Sequence, residues 1–258
     1  MKTIGYLLLV ILLISPNFLI AQVKPSNPGS DTINKLDSKG SRTGYWEEKQ
    51  GDIVIKGVYL NSKKVNNWIS YYPNNLISKI EFYSNGIRDG ISLQFDRKGK
   101  VLVQEYYRNG LLHGFSITYN AFNENPVSEI HYDNGKKTGL YRQFYDNNKI
   151  QEECHYIDDQ KNGIARWYNR TGKLVAEYEY KNGRFNGLKK TFYDNDTIET
   201  SASYVNDILS GDYKEFYRNG KVKLAGSYLN DAKEGTWTEY DELGKPVKIQ
   251  KCKNGVCK

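Results

Sequence analysis

Cys252 and Cys257 flank Lys253-Asn254-Gly255-Val256. Two thiols at this spacing could form a disulfide, supply part of a metal site or exchange electrons. Asn-Gly is the favoured pair for a two-residue hairpin turn, because both residues tolerate positive φ. With Asn254-Gly255 as the turn, Lys253 faces Val256 and Cys252 faces Cys257. The cysteines then form a non-hydrogen-bonded pair with α-carbons about 4.5 Å apart, a separation that suits a disulfide. The expected role is to clip the last hairpin, where a terminal unit would otherwise fray. A metal needs more ligands than two thiols, and no histidine lies nearby in sequence. Redox catalysis needs the closer Cys-x-x-Cys spacing.

The remaining titratable residues are less suggestive. Cys154 adjoins His155 in Glu152-Glu153-Cys154-His155-Tyr156. On a strand, adjacent side chains point to opposite faces, so this pair does not make a nucleophile and its base; Cys154 reads as a small buried residue or a lone thiol. His131 and His155 occupy matching places, with Glu129 and Glu153 on the same face, while His113 stands apart. The four are the best candidate metal cluster in the chain. Strand alternation alone also produces such columns of solvated polar residues, and that reading is preferred. No Gly-x-Gly-x-x-Gly, phosphate loop, Gly-x-Ser-x-Gly or His-Glu-x-x-His is present. The expectation is a non-enzyme with no cofactor and no metal.

These residues sit within a repeat. Tyr-x-Asn-Gly occurs at Tyr83 with Gly86, Tyr107 with Gly110, Tyr132 with Gly135 and Tyr180 with Gly183. Looser copies begin at Tyr59, Tyr156, Tyr204 and Tyr228, and a last one, ending in Gly255, replaces the tyrosine by Cys252. The steps are 24 residues, except for a single 25 between Tyr107 and Tyr132. A fixed period of this size means stacked copies of one small unit. Glycines recur at 44, 90, 114, 139, 163, 187, 211 and 235, with Asn67 expected in the missing slot. Five residues on come Tyr72, Phe95, Tyr119, Phe144, Tyr168, Phe192, Phe216 and Tyr240.

Between the turns lie short segments rich in Tyr, Phe, Val, Ile and Thr, as strands require. In Ala176-Glu177-Tyr178-Glu179-Tyr180 the aromatics and the acids alternate, giving one aromatic and one polar face. The reading is all-β: about nine two-stranded units of about 24 residues in one elongated antiparallel meander. A single sheet has little thickness, so the repeat tyrosines are expected to form the scaffold's core rather than a ligand track. Trp46, Trp68, Trp167 and Trp237 show no shared repeat position in this reading.

The units occupy residues 44–258. Residues 1–21 carry Lys2, an apolar run from Leu7 to Ile14 and a small residue at Ala21, the outline of a secretory signal peptide. An uncleaved anchor is the alternative, but the run is short against the roughly 20 apolar residues a spanning helix needs. Cleavage is expected near Ala21, although Leu19 departs from the preferred small residue. Residues 22–43, with Pro25, Pro28 and Gly29, read as a flexible linker. Formal charge is +7, and acids are interspersed with the lysines and arginines. This lacks the one-sided basic cluster of a nucleic-acid binder.

Units such as Gly211-Asp212-Tyr213-Lys214-Glu215-Phe216-Tyr217-Arg218-Asn219-Gly220-Lys221, followed by Tyr228-Leu229-Asn230, resemble MORN repeats. More narrowly, they resemble the bacterial variant often labelled as the antitoxin component of toxin–antitoxin systems. The resemblance implies a β-hairpin solenoid that serves as a scaffold, a protein-binding surface or a membrane-lipid contact. The family's usual period is 23, so a period of 24 implies slightly longer strands or one bulge per unit. Together these readings predict an exported scaffold at the cell envelope with a protein partner. The alternatives are a module for envelope glycan or anionic lipid, and an antitoxin or immunity protein.

Overall fold

The computed structural model describes residues 33–258. The signal-like segment 1–21 and residues 22–32 of the expected linker lie outside the described residues. The chain order is β1 (Lys35–Leu36), β2 (Arg42–Gln50), β3 (Ile53–Leu60), β4 (Lys63–Tyr71), β5 (Ile77–Ser84), β6 (Ile87–Phe95), β7 (Val101–Arg108), β8 (Leu111–Leu112), β9 (Gly114–Tyr119), β10 (Pro126–Asp133) and β11 (Lys136–Phe144). It continues with β12 (Ile150–Ile157), β13 (Gln160–Lys161), β14 (Gly163–Tyr168), β15 (Leu174–Lys181), β16 (Arg184–Phe192), β17 (Ile198–Val205), β18 (Ile208–Phe216), β19 (Val222–Leu229), β20 (Ala232–Tyr240), β21 (Pro246–Lys253) and β22 (Val256–Cys257). All 22 strands form one antiparallel sheet, in which neighbours in sequence are neighbours in space. The short β8 and β13 are the first halves of strands interrupted just before Gly114 and Gly163, so β9 also pairs with β7 and β14 with β12. Counted this way, β2 to β21 make nine two-stranded units.

One end of every unit is a two-residue turn with positive φ at both positions, the type I′ geometry that matches strand twist. Asn85 and Gly86 have φ of 50° and 86°. In the looser copies aspartate replaces the glycine, as in Asn206 (51°) and Asp207 (71°). The aspartate offsets its backbone strain with a bond glycine cannot make: Asp207 Oδ1 accepts from Phe185 N at 2.7 Å, and Asp231 Oδ1 from Leu209 N at 2.9 Å. The turns also stack. Gly86 N donates to Lys64 O, and Gly110 N to Arg88 O, each at 2.8 Å.

The opposite end, except in β2–β3 where Gly51 and Asp52 alone make the turn, is a loop of five or six residues such as Asp96–Lys100. There Asp96 Oδ1 accepts from Lys98 N and Lys100 N, and Gly99 takes φ of 85°. Asparagine amides tie most loops to the next, as Asn147 Nδ2 does to Arg170 O, and Lys100 and Lys173 do so for two others. The loop Asn120–Asn125 has one residue more, closed by Asn120 N donating to Asn125 O. This extra residue is the source of the single 25-residue step.

Two irregularities recur in each unit after β2–β3, whose own register is unbroken, one more than the lengthened period implied. The first is a register shift beside the five-residue loop, such as that between Gln94 and Phe95. The second is a bulge at the recurrent glycine, such as Gly187 with φ of 129°. This second bulge corrects the expected register. The slot lacking glycine is filled by Asn66, which has φ of 58° and pairs with Tyr83; Asn67 pairs with Phe82. Tyr71, paired with Ile77, therefore takes the aromatic slot assigned to Tyr72. Tyr72 belongs to the loop, where its hydroxyl donates to Phe95 O at 2.8 Å. Tyr145, Tyr193 and Tyr217 make the same bond to the next unit.

Within the expected linker, Lys35–Leu36 pairs with Arg42–Thr43. Asp37 Oδ1 closes the connecting turn by accepting from Lys39 N and Ser41 N. Local side-chain bonding, rather than apolar burial, orders this stretch.

The sheet has two distinct faces. The tyrosine face carries the repeat tyrosines and buries Tyr59, Trp68, Tyr107, Cys154 and Trp237 among others. The opposite face, reached from residues one and three before each tyrosine, buries Ile69, Ile80, Leu93 and Phe95 as one cluster with Tyr71, Phe82 and Val101 around it.

Candidate functional site

On the tyrosine face the repeat tyrosine stands across its turn from the residue five positions on: Tyr83 from Arg88, Tyr156 from Lys161, Tyr180 from Phe185. That residue reaches over the tyrosine of the next unit. Lys64 Nζ lies 5.6 Å from the Tyr83 ring centre, Arg88 Cζ 4.0 Å from Tyr107, and Lys137 Nζ 5.6 Å from Tyr156. Phe185 packs on Tyr204 at 5.9 Å. Each contact joins two units, through cation–π attraction or ring packing. Tyr83, Tyr132, Tyr156, Tyr180, Tyr204 and Tyr228 are half-buried, Tyr107 fully so. The Tyr107 hydroxyl donates to Glu105 at 2.9 Å. Burial first, then the neighbouring acid, pushes the Tyr83 and Tyr107 phenols up to about 12.

The last unit replaces this pair by a covalent one. Cys252 fills the tyrosine slot, Cys257 fills the slot opposite, and they are joined with α-carbons 4.0 Å apart. Gly255 N reaches back to Lys233 O at 3.0 Å, the same stacking bond as in the other turns.

The tryptophans also fall into register. Trp46, Trp68 and Trp237 each lie two residues after the bulge position, at Gly44, Asn66 and Gly235, so they do share a slot; Trp167 does not. Trp68 and Trp237 are buried on the bare backbone of a facing glycine. A Cβ on Gly57 or on Gly226 would sit 2.2 Å from the respective indole. Neither ring is free to stack on a sugar.

The Cys154 thiol lies on the buried tyrosine face, while His155 is exposed on the other. Burial pushes that thiol up to about 11, against nucleophilic use. The His131–His155–Glu129–Glu153 set does not converge. The imidazole of His131 packs edge-on to Phe115 at 5.1 Å, and Leu140 pairs with His155. Glu153 accepts from Arg142 Nε at 2.9 Å. No group of three His, Cys, Asp or Glu suited to a metal occurs among the described residues. His113 Nδ1 lies 3.2 Å from Asp133 Oδ1, away from both. A shallow depression of about 450 Å³ beside the 182–183 turn is lined by Lys181, Asn182, Arg184, Asn186 and Asn206.

The second face organises the molecule along its length. One register row runs Ile69–Ile80–Leu93–Gln104–Ile117 and then Glu129–Arg142–Glu153–Arg166–Glu177–Lys190. Its first part is apolar but for Gln104, and its second alternates in charge, with Arg166 Nε 2.8 Å from Glu177. Cross-strand pairs of opposite charge are the favourable arrangement on a sheet. Beside this ladder lies a second row, made of residues just before each tyrosine or just after each bulge glycine. It includes Tyr106, Phe115, Leu140, Ile164 and Leu188, the last four paired across the strands with His131, His155, Glu179 and Ser203. Four of the five apolar residues are exposed, Phe115 at 49%. The sequence reading missed this row because it followed the anchors and not their neighbours. The signal is present: the residues after Gly90, Gly114, Gly139, Gly163 and Gly187 are Ile, Phe, Leu, Ile and Leu.

The family model for a MORN repeat variant matches residues 88–109, 137–158, 161–182, 209–230 and 233–254. Each match begins at the residue opposite a repeat tyrosine and ends at the first residue of the next type I′ turn. The match carries nothing about an antitoxin. No curated protein matches the chain. Among solved structures, a TarM mutant of S. aureus in complex with fondaparinux, α-GlcNAc-glycerol and UDP is similar at 20% identity and TM-score 0.28 over 41% of this chain and 20% of that one. A second TarM structure gives 16%, 0.26, 37% and 20% respectively. A GtfA/B complex gives 11%, 0.16, 54% and 24%. The chain spans a quarter or less of those proteins, and likeness at this level carries no argument about function.

Proposed function

We propose that this chain is an exported, non-catalytic scaffold that binds a protein partner at the cell envelope through its charge-ladder face. One observation carries the reading: Tyr106, Phe115, Ile164 and Leu188 stand exposed in one row of this face, with His131, His155 and Glu179 between them, and its stretch from Leu140 to Leu188 runs beside an alternating ladder of fixed charges. Exposed apolar side chains set among polar and charged ones are the usual composition of a protein contact. Matches to MORN repeats agree at a coarse level, since such repeats are generally interaction modules for proteins or membranes. Export is supported by Lys2 and the apolar run Leu7–Ile14, and by a disulfide that suits an oxidising compartment. The test is a crosslinking pull-down from native envelope with the chain from Gln22 onward. One saturable protein partner, lost with Phe115→Glu and Leu188→Glu, is the expected result. Recovery of polysaccharide, or of anionic lipid in a salt-sensitive way, without stoichiometric protein would overturn it.

A further inference from the structure

The two ends of the sheet are finished differently. At the first end Asn34 covers the outer edge of β2. Its N–H donates to Tyr45 O at 3.0 Å, its Nδ2 donates to Glu47 O at 3.1 Å, and its Oδ1 accepts from Glu47 N at 2.8 Å. β1 pairs alongside at Arg42 and Thr43. Backbone groups of the outer edge at Arg42, Thr43, Tyr45 and Glu47 are thereby engaged.

At the other end β22 covers only one tip of β21. Lys251 N donates to Lys258 O at 2.9 Å, and Lys258 N returns the bond to Lys251 O at 3.0 Å. Residues 246–250 have no strand on that side among the described residues. In an antiparallel ladder the outward pairs recur every second residue. Ile249, two before Lys251, therefore turns its N–H and C=O outward. Its side chain is 64% exposed, and Val247 beside it is exposed as well. An uncovered edge with exposed apolar side chains is a template for another strand.

Charge says which strand. From Leu243 to Lys258 there are five lysines, at 245, 248, 251, 253 and 258, and no aspartate or glutamate. None of the five takes part in an ion pair among the described residues. Glu239 stands opposite Lys248 in register without forming one, and Glu234 is engaged with Asn254 N at 3.0 Å. A second copy pairing edge to edge would bring two lysine-rich ends together, and like charges close across strands are destabilising. An acidic partner meets the opposite field.

We propose that the open edge of β21 at Val247–Gln250 docks an acidic, extended segment of a partner protein as an added strand, with backbone bonds at Ile249 and an ion pair to Lys248, which lies on the face opposite Val247 and Ile249. Strand addition of this kind draws affinity from main-chain bonds and specificity from alternate side chains. This inference concerns the end of the sheet and stands apart from the face-binding reading.

The test uses the full chain and a synthetic peptide of alternating valine and glutamate, with fluorescence anisotropy as the readout. The expected result is saturable binding that weakens with salt. Ile249→Pro removes the outward N–H at an edge position where proline is tolerated, and should weaken binding at least tenfold while circular dichroism is unchanged. Lys248→Glu, which sets an acid against the glutamate face of the peptide, should do the same. On the wild-type chain, an N-methylated version of the peptide keeps its charge, lacks strand donors and should not bind. No binding of the parent peptide, or equal binding of the N-methylated one, overturns the proposal. So does a dimer of the chain that Ile249→Pro dissolves, which would give the edge to a second copy. Phe115→Glu should leave peptide binding unchanged, so failure here and failure of the face-binding reading are told apart.

Discussion

Replacing Gly57 by alanine would place a methyl carbon 2.2 Å from Cδ2 and 2.4 Å from Cε2 of Trp68. Ordinary contact begins near 3.4 Å, so the indole would have to retreat by more than an ångström. It has nowhere to go. The ring is 2% exposed, its Nε1 donates to Val58 O at 3.3 Å, Lys64 Nζ sits 3.9 Å from its centre and Tyr59 packs edge-on at 4.8 Å. Overpacking of this kind costs about 1–3 kcal/mol. Alanine would otherwise gain about 0.5–1 kcal/mol over glycine in a strand, leaving a net loss of up to about 2.5 kcal/mol. The decisive comparison is made in the background of Trp68→Ala, where the clash is gone and Gly57→Ala should become stabilising. Urea unfolding followed by both fluorescence and circular dichroism reads the four chains of the cycle, and coincident transitions show whether the stacked units unfold as one. If Gly57→Ala were harmless with Trp68 present, or equally harmful without it, the reasoning that this tryptophan needs a bare backbone beneath it would be refuted.

Reduction of the Cys252–Cys257 bridge, or Cys252→Ser, should release the last hairpin while leaving the rest of the array folded. The bridge spans only five positions, so the loss should stay below the ~3 kcal/mol of a 15-residue loop; hydrogen exchange confined to β21 and β22 would show it, and exchange spread through the sheet would count against it. Tyrosines at Tyr83, Tyr107 and Tyr156 have folded phenols pushed from 10.0 up to about 12, by burial first. Their contribution to stability is therefore complete below pH 10 and is lost as pH rises through about 12. Tyrosinate absorbance should lag in the folded chain and rise with unfolding, whereas titration of all tyrosines near pH 10 with the sheet intact would be inconsistent with it. The Cys154 thiol, 1% exposed, should react with an aromatic disulfide reagent only on unfolding; fast reaction of the native chain would place it on the surface.

The fold was legible because its strongest constraints are local. Asn-Gly fixes a turn, the turn fixes the cross-strand pairing, and a constant period fixes the next pairing in turn. The Cys252–Cys257 pairing followed from the same rule. Legibility failed where the local rule is broken. A bulge shifts which residue follows the glycine slot, so Asn67 was read for Asn66 and Tyr72 for Tyr71, and the shared slot of Trp46, Trp68 and Trp237 went unseen. The ordered turn at Asp37 was hidden because two side-chain bonds hold it, with no apolar pattern to announce it. The ladder face was harder still, since a row across the sheet joins residues that are far apart in sequence.

The most direct test of the account is a photo-crosslinking scan in which a reactive phenylalanine analogue replaces Phe115, Leu188, Tyr132 or Leu243 in turn, in the presence of native envelope. These positions sample the ladder face twice, the tyrosine face and a loop tip. The account predicts one saturable protein adduct from Phe115 and Leu188, and none from Tyr132 or Leu243. Adducts from the tyrosine face or the loop tip alone, or no protein adduct from any position, would contradict it.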